Sequence, residues 1–251
     1  MRLVGSARET LATVATGEAS LLATDPPWDL SAGGKFGECA DYALLNVDQV
    51  VDELHDARRA LARGAHAYVF APAGDVFAEI LDAFRADGWV FLRQLAWDRD
   101  WKWGLGAYRT AYEPILVFAN GAPARLFNDE PVVPSLLRAR SAGVRTAKPW
   151  QLYKTFMQKS TEPGELVVDP FCGTNPLEIA ARRLEPARRW LAGDVLTPDE
   201  IARDMTHRST RTPEVMTSTR RGGGPASWRH EPDRLRERGS IVTSATRTVS
   251  A

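Results

Sequence analysis

The chain has little cysteine, no net charge and no long hydrophobic run, and each of these absences excludes a class of protein. Only two cysteines occur in 251 residues, which excludes a disulfide framework and a cysteine-rich zinc site. No apolar run approaches the roughly 18 to 20 residues that cross a bilayer, and the first residues lack the apolar core of a signal peptide. We therefore expect a cytoplasmic protein that has neither a membrane partner nor a bound metal.

Basic residues are concentrated in the last part of the chain, although the formal net charge is zero. Residues 206–251 carry nine arginines against four acids, and they are rich in Ser, Thr, Gly and Pro. Such a composition is typical of a disordered segment. We predict a folded domain over residues 1–205 and a basic disordered tail over 206–251, which either contacts a polyanion or stays solvated.

Short apolar runs alternate with longer amphipathic ones over residues 1–205, the pattern of a mostly parallel sheet covered by helices. The predicted strands are Arg2–Val4, Ser20–Thr24, Ala67–Ala71, Val90–Trp97, Pro114–Ala119, Leu166–Val168 and Trp190–Ala192. The predicted helices are Val47–Arg63, Gly74–Ala86, Trp150–Lys159, Pro176–Leu184 and Pro198–Met205. Segments 29–46 and 120–148 are predicted as inserted loops that face the substrate, because loops beyond the carboxyl ends of parallel strands build the site.

The stretch Asp25-Pro26-Pro27-Trp28 follows one of the predicted strands. Its two prolines stiffen the backbone and remove two N–H donors, so a group bound here would meet acceptors only. Trp28 adds a flat aromatic face. By itself, the tetrapeptide is more typical of a rigid turn with a tryptophan packed beneath a loop.

A second motif, Asp169-Pro-Phe-Cys-Gly-Thr-Asn175, lies between a predicted strand and a predicted helix. A strand, a glycine turn and a helix N-terminus together form a place where backbone N–H groups bind an anionic group. About 20 residues later another strand ends in Asp194, where nucleotide-binding α/β units place the carboxylate that accepts hydrogen bonds from ribose hydroxyls. Each piece alone is equally typical of a structural turn or cap, but the pair implies a nucleoside cofactor.

In this order, the two motifs resemble those of the amino-group DNA methyltransferases, which move the methyl group of S-adenosylmethionine to adenine N6 or cytosine N4. In that family a strand ending in Asp/Ser/Asn-Pro-Pro-aromatic holds the target base. A strand ending in Asp-Pro-Phe-x-Gly-x-Gly holds the cofactor. Here the catalytic motif comes first, as in the permuted members called the beta group. The likeness covers residues 1–205 and includes the run Tyr108–Phe118, which is similar to a family segment.

The resemblance implies an α/β fold, Rossmann-like and doubly wound, whose mostly parallel sheet has the circularly permuted methyltransferase order. The catalytic residues that it implies are Asp25, Pro26, Pro27 and Trp28. The cofactor-binding residues that it implies are Asp169, Phe171, Gly173, Thr174, Asn175, Asp194 and Lys148. Glu113 is either a partner of these residues or a surface acid. The cofactor itself would be S-adenosylmethionine.

The catalytic turn suits the chemistry that the resemblance implies. An exocyclic amine is a poor nucleophile because its lone pair is delocalised into the ring. If the Asp25 carboxylate and the Pro26 carbonyl accept its N–H hydrogens, they stabilise the positive charge that develops as the methyl group arrives. Trp28 would stack on a base that has swung out of the double helix.

Two positions depart from the family pattern. Asn175 stands where relatives carry a second glycine, and Ser6 stands where many have an acid near the adenine of the cofactor. Asparagine tolerates left-handed backbone angles better than most residues, so the turn can survive. Its side chain nevertheless fills space that glycine leaves empty. The turn therefore either binds the cofactor more weakly or belongs to an inactive relative.

The resemblance implies an enzyme that methylates adenine N6 in double-stranded DNA, with the target base flipped out, because in this family a catalytic motif that begins with Asp favours adenine. The alternatives are cytosine N4 in DNA, adenine in RNA, and a catalytically inactive DNA-binding relative. Such an enzyme would act in restriction-modification or as an orphan methylase, either alone or as a homodimer. Trp97, Trp101 and Trp103 would either stack bases or cover the edge of the core.

Overall fold

The computed structural model describes residues 1–29, 44–103, 110–140, 147–197 and 199–200. The chain divides into one unit, Met1–Thr212, and a second, Pro213–Ala251. All described residues belong to the first unit, so the predicted tail and most of the helix predicted over Pro198–Met205 lie outside them. Within the described residues, no helix is long enough and apolar enough to span a membrane.

The described residues form eight strands and five helices. The strands are β1 (Arg2–Val4), β2 (Ala19–Thr24), β3 (Leu61–Phe70), β4 (Val90–Trp103), β5 (Thr110–Ala119), β6 (Leu136–Arg138), β7 (Leu166–Asp169) and β8 (Arg189–Asp194). The helices are α1 (Ala7–Ala12), α2 (Val47–Ala60), α3 (Val76–Ala86), α4 (Trp150–Ser160) and α5 (Pro176–Arg182).

All eight strands belong to one sheet in the order β1-β8-β7-β2-β3-β5-β4-β6. The first five strands of this order are parallel to one another, whereas β5 runs antiparallel to both β3 and β4. The predicted Rossmann-like, mostly parallel sheet is confirmed. Strand β2, which precedes the catalytic motif, lies beside β7, which precedes the second motif. The permuted chain order therefore still brings the two motifs together.

Helices cover both faces of this sheet, and each face has its own core. Leu22 of β2 packs in the cluster that includes residues of α1, α2 and α3. Its neighbour Leu21 packs in the cluster that includes residues of α4 and α5. Successive strand residues point to opposite faces, and all six residues of β2 are buried. Strands buried on both faces read as continuous apolar runs, which explains why the sequence pattern predicts β2 and β7 closely.

Several element boundaries differ from the prediction, and β3, β4 and β5 are longer than expected. Helix α2 ends at Ala60 instead of Arg63, and β3 begins at the next residue. Leu61 continues the apolar helical period, but its pairing with Ala19 of β2 draws it into the sheet. Helix α1 was not predicted. Its start carries a capping box between Ser6 and Glu9, a signal that the sequence does contain.

The segment 120–148 also departs from the expectation that all of it faces the substrate. Because β5 is antiparallel, it leaves the sheet at the edge where the parallel strands begin. There the Asn120 side chain donates to the Leu61 carbonyl, and Arg125 forms an ion pair with Glu165 at 2.8 Å. The segment then returns along the sheet as β6, parallel to β4. Among the described residues of this segment, Lys148 lies at the opposite edge, beside Asp25.

Candidate active site

The carboxyl ends of neighbouring parallel strands bring the two motifs to one edge of the sheet. Strands β2 and β7 are paired at Leu22 and Val168, so Asp25 and Asp169 follow at adjacent strand ends. Strand β8, which pairs with β7 on its other side, ends in Asp194. The predicted catalytic and cofactor residues therefore meet where an open α/β sheet binds its ligands.

The catalytic turn presents hydrogen-bond acceptors. The backbone N–H of Trp28 donates to the Pro26 carbonyl at 2.9 Å, and the Pro27 carbonyl accepts from Leu45 N at 2.8 Å. The indole Nε1 of Trp28 donates to the Phe70 carbonyl at 2.9 Å. Trp28 is half-buried and packs against the core. Its indole is therefore fixed along one edge, while part of its surface remains accessible.

Asp25 is held by a chain of charged side chains. Lys148 Nζ lies 2.7 Å from Asp25 Oδ2 and 2.8 Å from Glu113 Oε1. Arg99 then contacts the other oxygen of Glu113, Oε2, at 3.1 Å. The ammonium group of Lys148 also lies 5.1 Å from the centre of the Phe70 ring. The side chains of Lys148 and Glu113 are only 11% and 14% exposed, whereas 29% of the Asp25 side chain is exposed. Asp25 therefore remains partly accessible to a ligand, whereas Lys148 and Glu113 are largely buried.

The surroundings of Asp25 shift its ionisation. Burial raises the pKa of Asp25 to about 6; Lys148 opposes this rise, and Glu113 adds to it. Burial acts to lower the pKa of Lys148, but the attraction of Asp25 and Glu113 outweighs burial and raises it. At neutral pH Asp25 is therefore mainly ionised, and an ionised carboxylate only accepts hydrogen bonds.

Asp169 is fully buried at the end of β7 and is incompletely satisfied. Its Oδ1 accepts from Phe171 N at 3.3 Å, and its Oδ2 has no hydrogen-bond partner. Burial raises the pKa of Asp169 to about 8, which the nearby Thr24 hydroxyl and the Phe171 amide act to limit. Tyr153 of α4 faces Asp169 and Asp25, and burial together with the charges of these two acids raises the pKa of its hydroxyl. A cation at Oδ2 would remove the cost of this buried carboxylate.

The turn after β7 keeps its shape although a glycine is missing. Asn175 adopts left-handed angles, with φ 58 and ψ 56, and its Oδ1 accepts from Glu178 N at 3.2 Å. Its Nδ2 donates to Glu178 Oε2 at 2.9 Å, so the side chain is turned onto the first turn of α5. Gly173 has φ +47, and no atom lies within 4 Å of the position that a Cβ would take. The Gly173 N–H donates to Asp194 Oδ2 at 2.8 Å.

The match to a known family decides the identity of the chain. The family model for N6 and N4 methyltransferases, described as DNA methylase, matches residues 19–191. The chain belongs to the DNA methylase family. The resemblance predicted from the two motifs is thereby confirmed, and DNA is the substrate class of this methylase.

Solved structures share the fold at low sequence identity. PvuII DNA methyltransferase, which is cytosine-N4-specific, is 19% identical, covers 81% of this chain and 84% of its own, and has a TM-score of 0.65. M1.HpyAVI in complex with S-adenosylmethionine is 17% identical, with coverages of 83% and 98% and a TM-score of 0.60. TTHA0409 of Thermus thermophilus, in complex with the same compound, is 20% identical, with coverages of 81% and 93% and a TM-score of 0.60. A search of curated proteins found no match.

The structure places one predicted cofactor residue, Lys148, in a different group from the one that the sequence pattern indicated. Lys148, predicted beside the cofactor, makes its two ion pairs with the acids of the catalytic side. Phe171 packs against the core, and Thr174 is half-buried. Trp97 is 1% exposed and donates to the Ala139 carbonyl at 2.8 Å, so it belongs to the core. The side chains of Trp101 and Trp103 lie outside the described residues.

Three residues that shape the site were not among the predicted site residues. Phe70 supports both Trp28 and Lys148, at the very end of β3. Arg99 closes the chain of charges, and Tyr153 faces the two acids. Of the three, only Phe70 could have been suspected from the sequence, because it lies near the end of a predicted strand, and residues at strand ends line the site. Among the described residues, no group of three or more His, Cys, Asp or Glu side chains could hold a metal ion.

Proposed function

We propose that this methylase transfers a methyl group from S-adenosylmethionine to the exocyclic N6 amine of adenine in DNA. One observation carries the proposal. The Asp25 side chain, which is 29% exposed, is fixed by Lys148 at the same sheet edge as the buried Asp169. An acceptor for an amine and an acid for a cationic cofactor are thus adjacent. Asp at the first position of the catalytic motif favours adenine over cytosine in the family that this chain belongs to.

The residues of the second turn fit S-adenosylmethionine. The unpartnered Oδ2 of Asp169 suits the ammonium of the methionine end. The open space beside Gly173 lets a ligand approach the backbone closely. Asp194, at the end of β8, would accept hydrogen bonds from the ribose hydroxyls. Its Oδ2 already accepts the Gly173 N–H, so the same carboxylate would join the turn to the ligand. The bound cofactor supplies an electrophilic methyl group on a sulfonium.

Asp25 and Pro26 would activate the target amine. A carboxylate oxygen of Asp25 and the Pro26 carbonyl accept its two N–H hydrogens, which draws the nitrogen lone pair out of the ring. The Pro26 carbonyl already accepts the Trp28 N–H, and a carbonyl oxygen has a second lone pair for another donor. These fixed acceptors would stabilise the positive charge that develops on nitrogen as the N–C bond forms and the S–C bond to the methyl group breaks with its electron pair left on sulfur. They would do so without rearrangement, since the turn is rigid. The Asp25 carboxylate or water would then take the surplus N–H proton.

Trp28 would receive the flipped base. Its indole is pinned through Nε1 to the Phe70 carbonyl, so a stacked base has a fixed orientation relative to Asp25. Stacking on an aromatic side chain recovers part of the cost of leaving the double helix, about 1–3 kcal/mol per base. A flat surface and paired acceptors together select a planar base with an exocyclic amine.

The test is methylation of unmodified double-stranded DNA with cofactor that carries a labelled methyl group, followed by nucleoside analysis. The proposal predicts the label in N6-methyladenine. Label in N4-methylcytosine would move the target to cytosine, and label only with an RNA substrate would move it to RNA. Cofactor binding without any transfer would identify an inactive relative. The Asp25→Ala variant serves as the control for contaminating activity.

A further inference from the structure

The charged side chains around Asp25 come from four separate parts of the chain. Arg99 lies on β4, Glu113 on β5, Lys148 just before α4 and Asp25 after β2. Their ion pairs form a single series, in which Arg99 contacts Glu113, Glu113 contacts Lys148, and Lys148 contacts Asp25. Among the described residues the series contains two acids and two bases, so these four charges balance. Charges this deeply placed are costly unless they are paired.

Lys148 has little freedom within this series. An ammonium group has three donors. One faces Asp25 Oδ2 at 2.7 Å and another faces Glu113 Oε1 at 2.8 Å. The cation also lies over the Phe70 ring, 5.1 Å from its centre, an arrangement that favours a positive charge. Glu113 is in turn fixed on its other oxygen by Arg99. The position of Lys148 is therefore determined from three sides.

The consequence for Asp25 is a division of labour between its two oxygens. Oδ2 is engaged by Lys148, which leaves Oδ1 for a ligand. Without a partner, the carboxylate of Asp25 could rotate even though the two prolines after it fix the backbone. The ion pair between Oδ2 and the fixed ammonium of Lys148 opposes this rotation. While Lys148 holds Oδ2, Oδ1 is the oxygen of Asp25 that is left for an amine.

We infer that Lys148 and Glu113 are positioning residues for methyl transfer: Lys148 holds Oδ2 of Asp25 so that Oδ1 accepts the amine, and Glu113 fixes Lys148. The inference rests on the proposed function, since it concerns the same amine. It also places Lys148 on the base side of the site, away from the cofactor role that the sequence suggested.

The two residues should have opposite effects on the ionisation of Asp25. Lys148 lowers the pKa of Asp25, and Glu113 raises it. Arg99 lowers it as well, and among the described residues Asp169 and Tyr153 also face Asp25. Only the ionised carboxylate accepts hydrogen bonds with both oxygens. Transfer should therefore fall as the pH drops through the pKa of Asp25, which lies at about 6.

The experiment compares Lys148→Met and Glu113→Gln with the full-length wild-type chain. It measures kcat/KM against pH on unmodified DNA, and cofactor affinity by calorimetry. Lys148→Met should move the acid limb upward by about one pH unit and lower kcat at least about tenfold. Its cofactor affinity should change less than about threefold. Glu113→Gln should move the acid limb downward. Lys148→Arg should restore the wild-type limb in part.

Lys154→Met is the matched control, because it removes the same charge from α4 without touching the series. It should leave the pH profile unchanged. Equal acid limbs in all variants would overturn the inference. So would a Lys148→Met enzyme that keeps its kcat but loses cofactor affinity. If Lys148→Met does not fold, as judged by thermal melting, the direction of the Glu113→Gln shift decides: downward supports the inference, and an unchanged or upward limb contradicts it.

A titration that does not depend on activity separates this inference from the proposed function. Isotope-labelled aspartate reports the ionisation of Asp25 by NMR, with Asp25→Asn to assign the signal. A wild type that transfers no methyl group but shows the opposite shifts in Lys148→Met and Glu113→Gln would refute the function and leave the charge arrangement standing. An active wild type with identical titration in both variants would refute the inference alone.

Discussion

The catalytic turn and the cofactor turn follow neighbouring strands of one sheet, yet they are held in different ways. The turn after β7 is fixed by residues that are closer in the sequence. Asn175 bonds Glu178 three positions away, and Gly173 bonds Asp194 across 21 positions. The turn after β2 depends on distant ones. Trp28 bonds the Phe70 carbonyl across 42 positions, and Asp25 depends on Lys148. A rigid proline turn thus sets the backbone, but the orientation of its acid comes from elsewhere.

Under the proposed function, this difference would allow the two turns to serve different ligands. Hydrogen bonds within the turn after β7 and to the end of β8 would hold the backbone in one conformation for a cofactor whose shape does not vary. The ion pair with Lys148 lowers the pKa of Asp25, which favours an ionised carboxylate that remains partly exposed in a largely buried site. Each turn can therefore be disrupted separately, and the expected effects below run from the largest to the smallest.

Removing the acceptor should separate the two turns most sharply. Asp25→Ala is expected to lower methyl transfer by about a hundred- to a thousandfold, the effect of removing one preorganised electrostatic group. Cofactor affinity should change little, because Asp194 and the glycine turn are intact. Single-turnover transfer and calorimetry on the same preparation check both halves. Retained turnover would show that Asp25 does not accept the amine.

Removing the acid of the second turn should have the converse effect. Asp194 Oδ2 accepts the Gly173 N–H and Oδ1 accepts Leu196 N at 3.0 Å. Asp194→Ala should therefore weaken cofactor binding by about 10- to 100-fold, the worth of a charge-assisted hydrogen bond. Asp82→Ala, an exposed acid on α3, is the control. Unchanged affinity in Asp194→Ala would exclude the ribose contact.

Trp28→Ala tests whether the aromatic face serves the base. Binding of DNA in the presence of a cofactor analogue should weaken by about 1–3 kcal/mol, the value of one base stacked on an aromatic ring. Cofactor affinity should stay near the wild-type value. Equal losses in both measurements would instead assign Trp28 a packing role, which its bond to the Phe70 carbonyl would explain.

Asn175 gives the smallest expected effect, on stability. Asn175→Gly keeps the left-handed angles and loses only the cap, which costs a few tenths of a kcal/mol. Asn175→Ala loses the cap and adds backbone strain, roughly 1–2 kcal/mol more. Denaturant unfolding of the two variants measures the difference. Equal stabilities would mean that the left-handed angles do not constrain this position.

The same comparison explains what the sequence could and could not predict. The fold follows from buried strands such as β2 and β7, whose apolar runs are unambiguous, and the cofactor turn follows from local capping residues. The end of α2 was missed because Leu61 satisfies the helical period, and only its partner in β2 reveals a strand. Strand β6 has three residues and forms only through its pairing with β4.

The charge series around Asp25 was beyond sequence analysis for a physical reason. Lys148 and Glu113 lie in different segments, and nothing in the local pattern of either indicates an ion pair. Their proximity depends on the antiparallel direction of β5, which brings Glu113 to the edge where β2 ends. A lone lysine before a helix is otherwise most often a solvated charge.

The most direct test of the central claim, that the two turns bind both reactants side by side, uses a conjugate that links adenine N6 to the cofactor's sulfur position. The account predicts that wild-type protein binds it at least about 100-fold more tightly than the demethylated cofactor, as expected for a ligand that spans both subsites. Asp25→Ala and Asp194→Ala should each remove much of this gain. A conjugate that binds no more tightly than the demethylated cofactor would contradict the account.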